Sequence, residues 1–447
     1  MSKLFGTDGI RAQVNTEPMT PDTCLKIARS TAYILSKEKT INRVIISKDT
    51  RLSGYVFEPV IASGFSSVGI EVLLVGPLPT PALAMLIGTL RADIGVMITA
   101  SHNTFEDNGL KIFDKNGYKI SEDLERKIES FVFSKEKYEQ INSKNIITGQ
   151  TKRLEDAKGR YTESIKNTFT KNKTLKGLKV VVDCANGANY KVAPELLWEL
   201  GSEIIAIENY PNGKNINFNC GAVHPLNLAK KVISEKADIG LAFDGDGDRI
   251  IISDEKGNII DGDKIIALLA KEYLKNNKLK KKKIVSTLMS NIGFENYINN
   301  LNLELVRTDV GDRNVINKML ELGCNVGGEQ SGHIILSDYS KTGDGLLSAV
   351  QILDIMTSQE KKASELFNLY DSTPQVQKNV AVKDKKKSFY ENKNLHDFID
   401  NFKNNSKDKR MLIRPSGTES IIRILIEGNN YKEIESISEE AKKLIVG

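Results

Sequence analysis

The stretch ITASHNTFEDNGLKIF, Ile98 to Phe113, sets Ser101 and His102 side by side in a loop of Asn, Asp and Gly, directly after the apolar run DIGVMI. A continuous apolar run of that length reads as a strand, so Ser101 is expected on an exposed loop just past a strand's carboxyl end. Open α/β sheets place their ligands there. Taken alone, such a serine is a cap or turn residue. As a hydrolytic nucleophile it lacks a GxSxG elbow, and a histidine adjacent in sequence points its side chain elsewhere. A serine that carries a phosphoryl group needs a cation beside the phosphate and a residue that moves the incoming hydroxyl's proton. Lys111 suits the second task if desolvation lowers its pKa.

The stretch LAFDGDGDRIII supplies candidates for holding the cation. Asp244, Asp246 and Asp248 stand at alternate positions after an apolar strand. In a nearly extended segment they share one side, where they repel strongly without a cation; hard oxygen ligands at this spacing suit Mg²⁺. A calcium loop starting at Asp244 would put Glu255 at its twelfth position, but Arg249 stands sixth, where the sharp turn demands Gly, and both flanks read as strand. Asp244 as an acceptor of a phosphoryl group stays open. Three further loops add donors. RPSGTES, from Arg414 to Ser420, combines an Arg, hydroxyls and a Gly suited to a phosphate, with Arg423 close by. GGEQSGH sets Glu329, Ser331 and His333 at alternate positions, which on an extended strand would present sugar-binding groups on one face. FGTDGIR, Phe5 to Arg11, is one more Gly-rich loop with a hydroxyl and an Arg.

Positioning so many groups takes more than one core, and 447 residues suggest three or four domains. With 40% hydrophobic and 27% charged residues the chain is ordinary globular material. No apolar run approaches the roughly 20 residues of a membrane span, and MSKLFGTDGIRA has no signal-peptide core, so a cytoplasmic protein without membrane partners is expected. Cys24, Cys184, Cys220 and Cys324 form no CxxC pair and read as buried thiols. The basic runs at Lys280 to Lys283 and around Lys385 lack interleaved aromatics; they read as solvated surface and not as a nucleic-acid site.

Apolar, β-branched runs alternate with helix-compatible segments through three consecutive blocks, which argues for α/β domains with mixed or parallel sheets. The last 70 or so residues, with alternating QVQKNVAVKD and a terminal helix, suit a smaller α+β domain. Lapses in the pattern place boundaries at 1–150, 151–253, 254–365 and 366–447.

TASHNxxxxNGxK at Thr99 to Lys111, DGDGDR, GEQSGH and RPSGTE, in this order, resemble the α-D-phosphohexomutase superfamily. GTDGIRA, VVVDCANGA, TLMSNIG and VGDR make the chain similar to its bacterial branch acting on glucosamine phosphate. The resemblance implies four domains around a central cleft, each lining it with one motif. Ser101 would be the phosphoserine and, with Asp244, Asp246 and Asp248, would bind Mg²⁺. The reaction would interconvert glucosamine 6-phosphate and glucosamine 1-phosphate through glucosamine 1,6-bisphosphate, feeding UDP-N-acetylglucosamine and cell-wall precursors; glucose or mannose phosphates are the alternative substrates. Lys111 and His333 would handle protons, with Arg11 in the catalytic set. Glu329 and Ser331 would hold the ring, while Arg249, Arg414, Ser416, Gly417, Thr418 and Arg423 would bind substrate. A homodimer is compatible with this. The chain departs from the family at Thr104 and Ser420, where the family has proline, so looser loops are expected there.

Overall fold

A computed structural model describes residues 4–38, 42–142, 148–406, 409–416 and 420–446. The chain divides into two compact units, one of Met1–Thr287 with Val306–Asn368 and the other of Leu288–Leu305 with Leu369–Gly447.

The first sheet runs β1 (Ile10–Gln13), β5 (Asp107–Asp114), β4 (Ile94–Ile98), β2 (Arg43–Lys48), β3 (Glu71–Pro77), β6 (Thr151–Arg153). From β4 to β6 the strands are parallel, while β5 runs antiparallel to both of its neighbours, β4 and β1. All five residues of β4 are buried, as a strand covered on both faces requires. Helices Pro21–Glu38 and Gly54–Ser66 supply Ile27, Phe57, Ile61 and Phe65 to a core shared with Val44, Ile46 and Val96.

The second sheet, in the order β11 (Ile259–Ile260), β10 (Ile250–Asp254), β9 (Ile239–Phe243), β7 (Lys179–Asp183), β8 (Glu203–Ile207), is parallel across β9, β7 and β8; β10 returns antiparallel to β9. The third runs β13 (Glu304–Thr308), β12 (Lys283–Thr287), β14 (Val326–Gly328), β15 (Ile334–Leu336), with β14 and β15 forming a hairpin. Its helix Gly262–Lys275 starts at Asp261, whose carboxylate accepts from Lys264 N at 3.1 Å. The three consecutive α/β blocks of the sequence pattern are present. The first two sheets nevertheless continue past residues 150 and 253, through β6 and β10–β11. β6 has no buried residue, so the apolar pattern carries no trace of it.

In the second unit an antiparallel sheet β16 (Gln375–Ala381), β18 (Ile421–Glu427), β17 (Arg410–Pro415) packs with helices Lys393–Asn405 and Tyr431–Val446 around Val376, Ile422, Ile424, Ile434 and Ile445. This is the small α+β arrangement expected. The four cysteines are buried and free, also as expected. No helix among the described residues is long and apolar enough to cross a membrane.

Close backbone approach explains the Asn-Gly pair on β5. A Cβ on Gly109 would stand 2.2 Å from Ile10 O and 2.7 Å from Thr99 O, main-chain atoms on both sides that have nowhere to move. Gly109→Ala is expected to destabilise the first unit by on the order of 2 kcal/mol, read as a lower thermal midpoint; an unchanged midpoint would contradict this packing.

Candidate active site

Ser101 lies three residues beyond β4, past the strand's carboxyl end as expected. It is not exposed: only 1% of its surface is accessible, and its Oγ donates to Asp244 Oδ2 at 2.8 Å. Its backbone is left-handed, with φ of 51°, a conformation that costs an L-residue about 1–2 kcal/mol and has to be held by its surroundings. His102 stays uncharged, its pKa pushed down to about 3 by burial and by the guanidinium groups of Arg249 and Arg11.

The acidic trio sits in the loop joining β9 to β10. The loop is a turn, with Gly247 N donating to Asp244 O at 3.0 Å and Gly247 at φ 71°, so the extended alternation expected from the sequence does not hold. The turn still brings one oxygen from each of Asp244, Asp246 and Asp248 within 4.8 Å of one another, all three residues buried. Asp246 Oδ2 accepts from Thr80 Oγ1 at 2.6 Å and from Lys111 Nζ at 2.8 Å. The Oδ1 atoms of Asp246 and Asp248 are buried with no hydrogen-bond partner. Burial and the two neighbouring carboxylates push the pKa of Asp244 well up. Converging hard oxygens, two of them unsatisfied, fit a divalent cation. Strands flank the loop on both sides, which rules out a helix–loop–helix calcium site.

Lys111, on β5 opposite Met97, reaches this trio. Its ammonium lies 2.8 Å from Asp246, 3.0 Å from Asp248 and 3.6 Å from Asp8. Burial would lower its pKa, but these carboxylates outweigh burial and raise it well above the usual lysine value. The condition under which Lys111 would serve as a base, a pKa lowered by desolvation, is not met in this arrangement: Lys111 is a held cation that partly balances the trio. Asp8, to which the sequence reading gave no role beyond its loop, also pairs with Arg11 and Lys119, and Lys119 reaches Asp312 at 2.6 Å. Its sequence signal was only an acid between Gly residues in FGTDGIR.

GEQSGH also departs from the extended strand expected. It is the hairpin turn between β14 and β15, in which Glu329 N donates to His333 O at 2.9 Å and Gly332 N to Glu329 O at 3.0 Å. The turn buries Glu329 and His333 and leaves Ser331 exposed at its tip, so the three do not share a face. Glu329 Oε1 accepts from Gly311 N at 3.1 Å. His333 Nδ1 lies 3.5 Å from Asp248 Oδ1, and Nε2 accepts from Gly343 N at 3.0 Å. Burial disfavours an imidazolium here and the Asp248, Asp312 and Glu329 carboxylates favour it, a balance near pKa 9. The Gly343 amide N–H points at Nε2 and needs a lone pair there, so this contact opposes the carboxylates and favours the neutral ring, with its proton on Nδ1, 3.5 Å from Asp248 Oδ1. Gly332 O accepts from Ile250 N at 2.9 Å, which joins this turn to the strand after the acidic loop. Arg249 N donates to Asp244 Oδ1 at 3.1 Å, and the Asp244, Asp248 and Glu329 carboxylates raise its pKa against the pull of burial.

Ser101, Lys111, Arg11, the trio, Arg249, Glu329 and His333 are thus neighbours within the first unit. In the second unit, Arg414 on β17 is directly opposite Arg423 on β18. Like charges facing each other across a ladder are unfavourable by themselves and suit an anion. Ser416 is buried beside them, and Lys385 Nζ donates to its carbonyl at 2.9 Å. Lys385 belongs to a run read as solvated surface; its spacing gave no sign of this contact. Gly417 and Thr418 lie outside the described residues.

Phosphoglucomutase/phosphomannomutase alpha/beta/alpha domains I, II and III match residues 2–139, 159–257 and 261–373, and the C-terminal domain of the same family matches 378–444. The chain is 47% identical over 444 residues to a phosphoglucosamine mutase of Parvibaculum lavamentivorans, covering 99% of this chain and 98% of that one. It is 47% identical over 435 residues to the phosphoglucosamine mutase of Rhizobium rhizogenes, covering 97% and 96%. A solved phosphoglucomutase/phosphomannomutase family protein from Burkholderia thailandensis shares the fold, with a TM-score of 0.82 and 23% identity over 99% of this chain and 97% of that one.

The geometry predicts the effect of relieving the acidic repulsion. A carboxyl whose pKa is raised by folding loses stability as pH climbs through that raised value. In chelator-treated protein at pH 8, Asp244→Asn is expected to raise the thermal midpoint by several degrees, with a smaller gain at pH 5. A lower midpoint at pH 8 would show that the trio is already balanced.

Proposed function

Because the chain belongs to the phosphoglucomutase/phosphomannomutase family and is a phosphosugar mutase, we propose that it interconverts glucosamine 6-phosphate and glucosamine 1-phosphate through a phosphate carried on Ser101. The observation that carries this reading is the 2.8 Å contact between Ser101 Oγ and Asp244, inside a trio whose buried oxygens lack partners. The names of the full-length relatives support glucosamine as the sugar. The same chemistry on glucose or mannose phosphate is the alternative.

The 1-hydroxyl of glucosamine 6-phosphate attacks phosphorus on Ser101, the P–Oγ bond breaks, and glucosamine 1,6-bisphosphate forms. The sugar turns end for end, Ser101 Oγ attacks the 6-phosphate, and that P–O bond breaks to leave glucosamine 1-phosphate and a restored phosphoserine. Asp244, Asp246 and Asp248, with an oxygen on Ser101, would hold Mg²⁺, which neutralises charge on the transferring phosphoryl group. Lys111 would take the incoming hydroxyl's proton only after losing its own, which requires a cation to draw Asp246 and Asp248 away from it, and His333, 3.5 Å from Asp248, would be a second proton carrier. Arg11 and Arg249 contribute fixed positive charge; Glu329 accepts from a sugar hydroxyl or amine, and Ser331 meets the ring from the hairpin tip. Arg414, Arg423, Ser416, Gly417 and Thr418 would hold the phosphate that is not reacting. The product would feed UDP-N-acetylglucosamine and peptidoglycan precursors.

Ser101→Ala is expected to lower turnover by about three orders of magnitude or more, since it removes the group that is transferred to and from. The lost buried hydrogen bond to Asp244 is expected to cost only about 1–3 kcal/mol of stability. Full activity in a folded variant would overturn the proposal. Chelation should abolish turnover and Mg²⁺ restore it. Turnover on glucose or mannose phosphate exceeding that on glucosamine phosphate would replace the sugar assignment and keep the mechanism.

A further inference from the structure

Ser101 holds a left-handed backbone inside the fold, and the atoms that hold it form a closed circuit. Arg51 is fully buried. Its Nη2 donates to Ser101 O at 2.9 Å and to Asn103 O at 2.7 Å. Its Nη1 donates to Asp107 O at 3.0 Å and to Thr104 O. Its Nε donates to Asp49 Oδ2 at 2.8 Å. Asp49 Oδ2 also accepts from Thr99 Oγ1 at 2.6 Å, and Thr99 Oγ1 accepts from Ser101 N at 2.9 Å. The path Ser101 N, Thr99, Asp49, Arg51, Ser101 O therefore grips residue 101 by both its amide and its carbonyl.

We infer that Arg51, with Asp49 and Thr99, is a positioning residue that fixes the Ser101 backbone so that Oγ faces the acidic trio. This rests on the phosphoserine reading above. The guanidinium spans four carbonyls of one loop with its five donors in a rigid plane, a task a lysine ammonium cannot perform. Asn217, from the second α/β block, reinforces the same two carbonyls, its Nδ2 donating to Ser101 O and Asn103 O at 2.8 Å each. The acidic loop closes against this point, where a Cβ on Gly245 would stand 2.7 Å from Ser101 O.

The test compares Arg51→Lys, Thr99→Val, Thr99→Ser and the double variant Arg51→Lys/Thr99→Val in the full-length enzyme. Circular dichroism and thermal midpoints report folding; kcat and KM on glucosamine 6-phosphate, and the rate at which glucose 1,6-bisphosphate phosphorylates Ser101 by intact mass, report positioning. Arg51→Lys is expected to lower kcat and the Ser101 phosphorylation rate about 10- to 100-fold with KM little changed, because misplacing a reacting group by about an ångström carries a cost of that size. Thr99→Val is expected to lower both rates, Thr99→Ser to restore them, and the double variant to lose less than the product of the single losses, because the two act through one circuit. Folded variants with unchanged kcat and phosphorylation rate, or a raised KM with kcat unchanged, would overturn the inference. Thr99→Val, which removes one hydroxyl, carries the test alone should the lysine variant not fold. Wild-type enzyme serves as the control: turnover without any phosphate on Ser101 would refute the functional reading itself.

Discussion

Three buried carboxylates brought within 4.8 Å of one another are the constraint around which the first unit is organised. Negative charges that close, taken out of water, cannot all stay ionised unless positive charge is drawn among them. Much of the surrounding structure answers that demand. Lys111 comes in from β5, Thr80 donates to Asp246, Arg249 follows the trio in sequence, and Ser101 Oγ turns toward Asp244. What these groups leave unsatisfied, the Oδ1 atoms of Asp246 and Asp248, is the shape of demand that a divalent ion and a phosphoryl oxygen meet. The repulsion is therefore a stored capacity for binding rather than a defect of packing.

The same constraint explains why backbone geometry is so tightly specified nearby. Ser101 is held in a left-handed conformation, Gly247 is at positive φ, and Gly245 and Gly109 have main-chain atoms pressed against the place a side chain would occupy. Gly343 lies so close to His333 that a Cβ would stand 2.5 Å from its ring. A site that aligns an attacking and a leaving oxygen on one phosphorus tolerates little play, and glycines, buried amides and one buried guanidinium remove that play without adding bulk.

Much of this was legible in the residues. The apolar runs before Ser101 and Asp244 became β4 and β9, both wholly buried, because a strand covered on two faces must be apolar throughout. The acidic trio and the small C-terminal domain were legible for the same reason, that pattern and composition carry them locally. What stayed hidden depended on contacts between distant segments. The trio converges through a turn and GEQSGH is a hairpin, although alternate spacing alone suggested extended strands in both places. Lys111 keeps its charge because Asp8, more than a hundred residues before the trio, joins Asp246 and Asp248 around it. Arg51 gave no signal at all, since a single arginine in SKDTRLS looks like surface until five of its contacts converge on one loop and one acid. Lys385 is hidden for a similar reason: a run of lysines reads as solvent-facing, and only the fold shows one of them bonded to the Ser416 carbonyl.

In the proposed reaction the oxygen of Ser101, and no carboxylate of the trio, carries the phosphoryl group. Intact-mass measurement of the purified enzyme, followed by peptide mapping after acid and after hydroxylamine treatment, tests this directly. One added phosphate is expected on the peptide containing Ser101, stable to acid and indifferent to hydroxylamine, as a phosphate ester is. A phosphate on the peptide containing Asp244, lost in acid and released by hydroxylamine as an acyl phosphate, would contradict it.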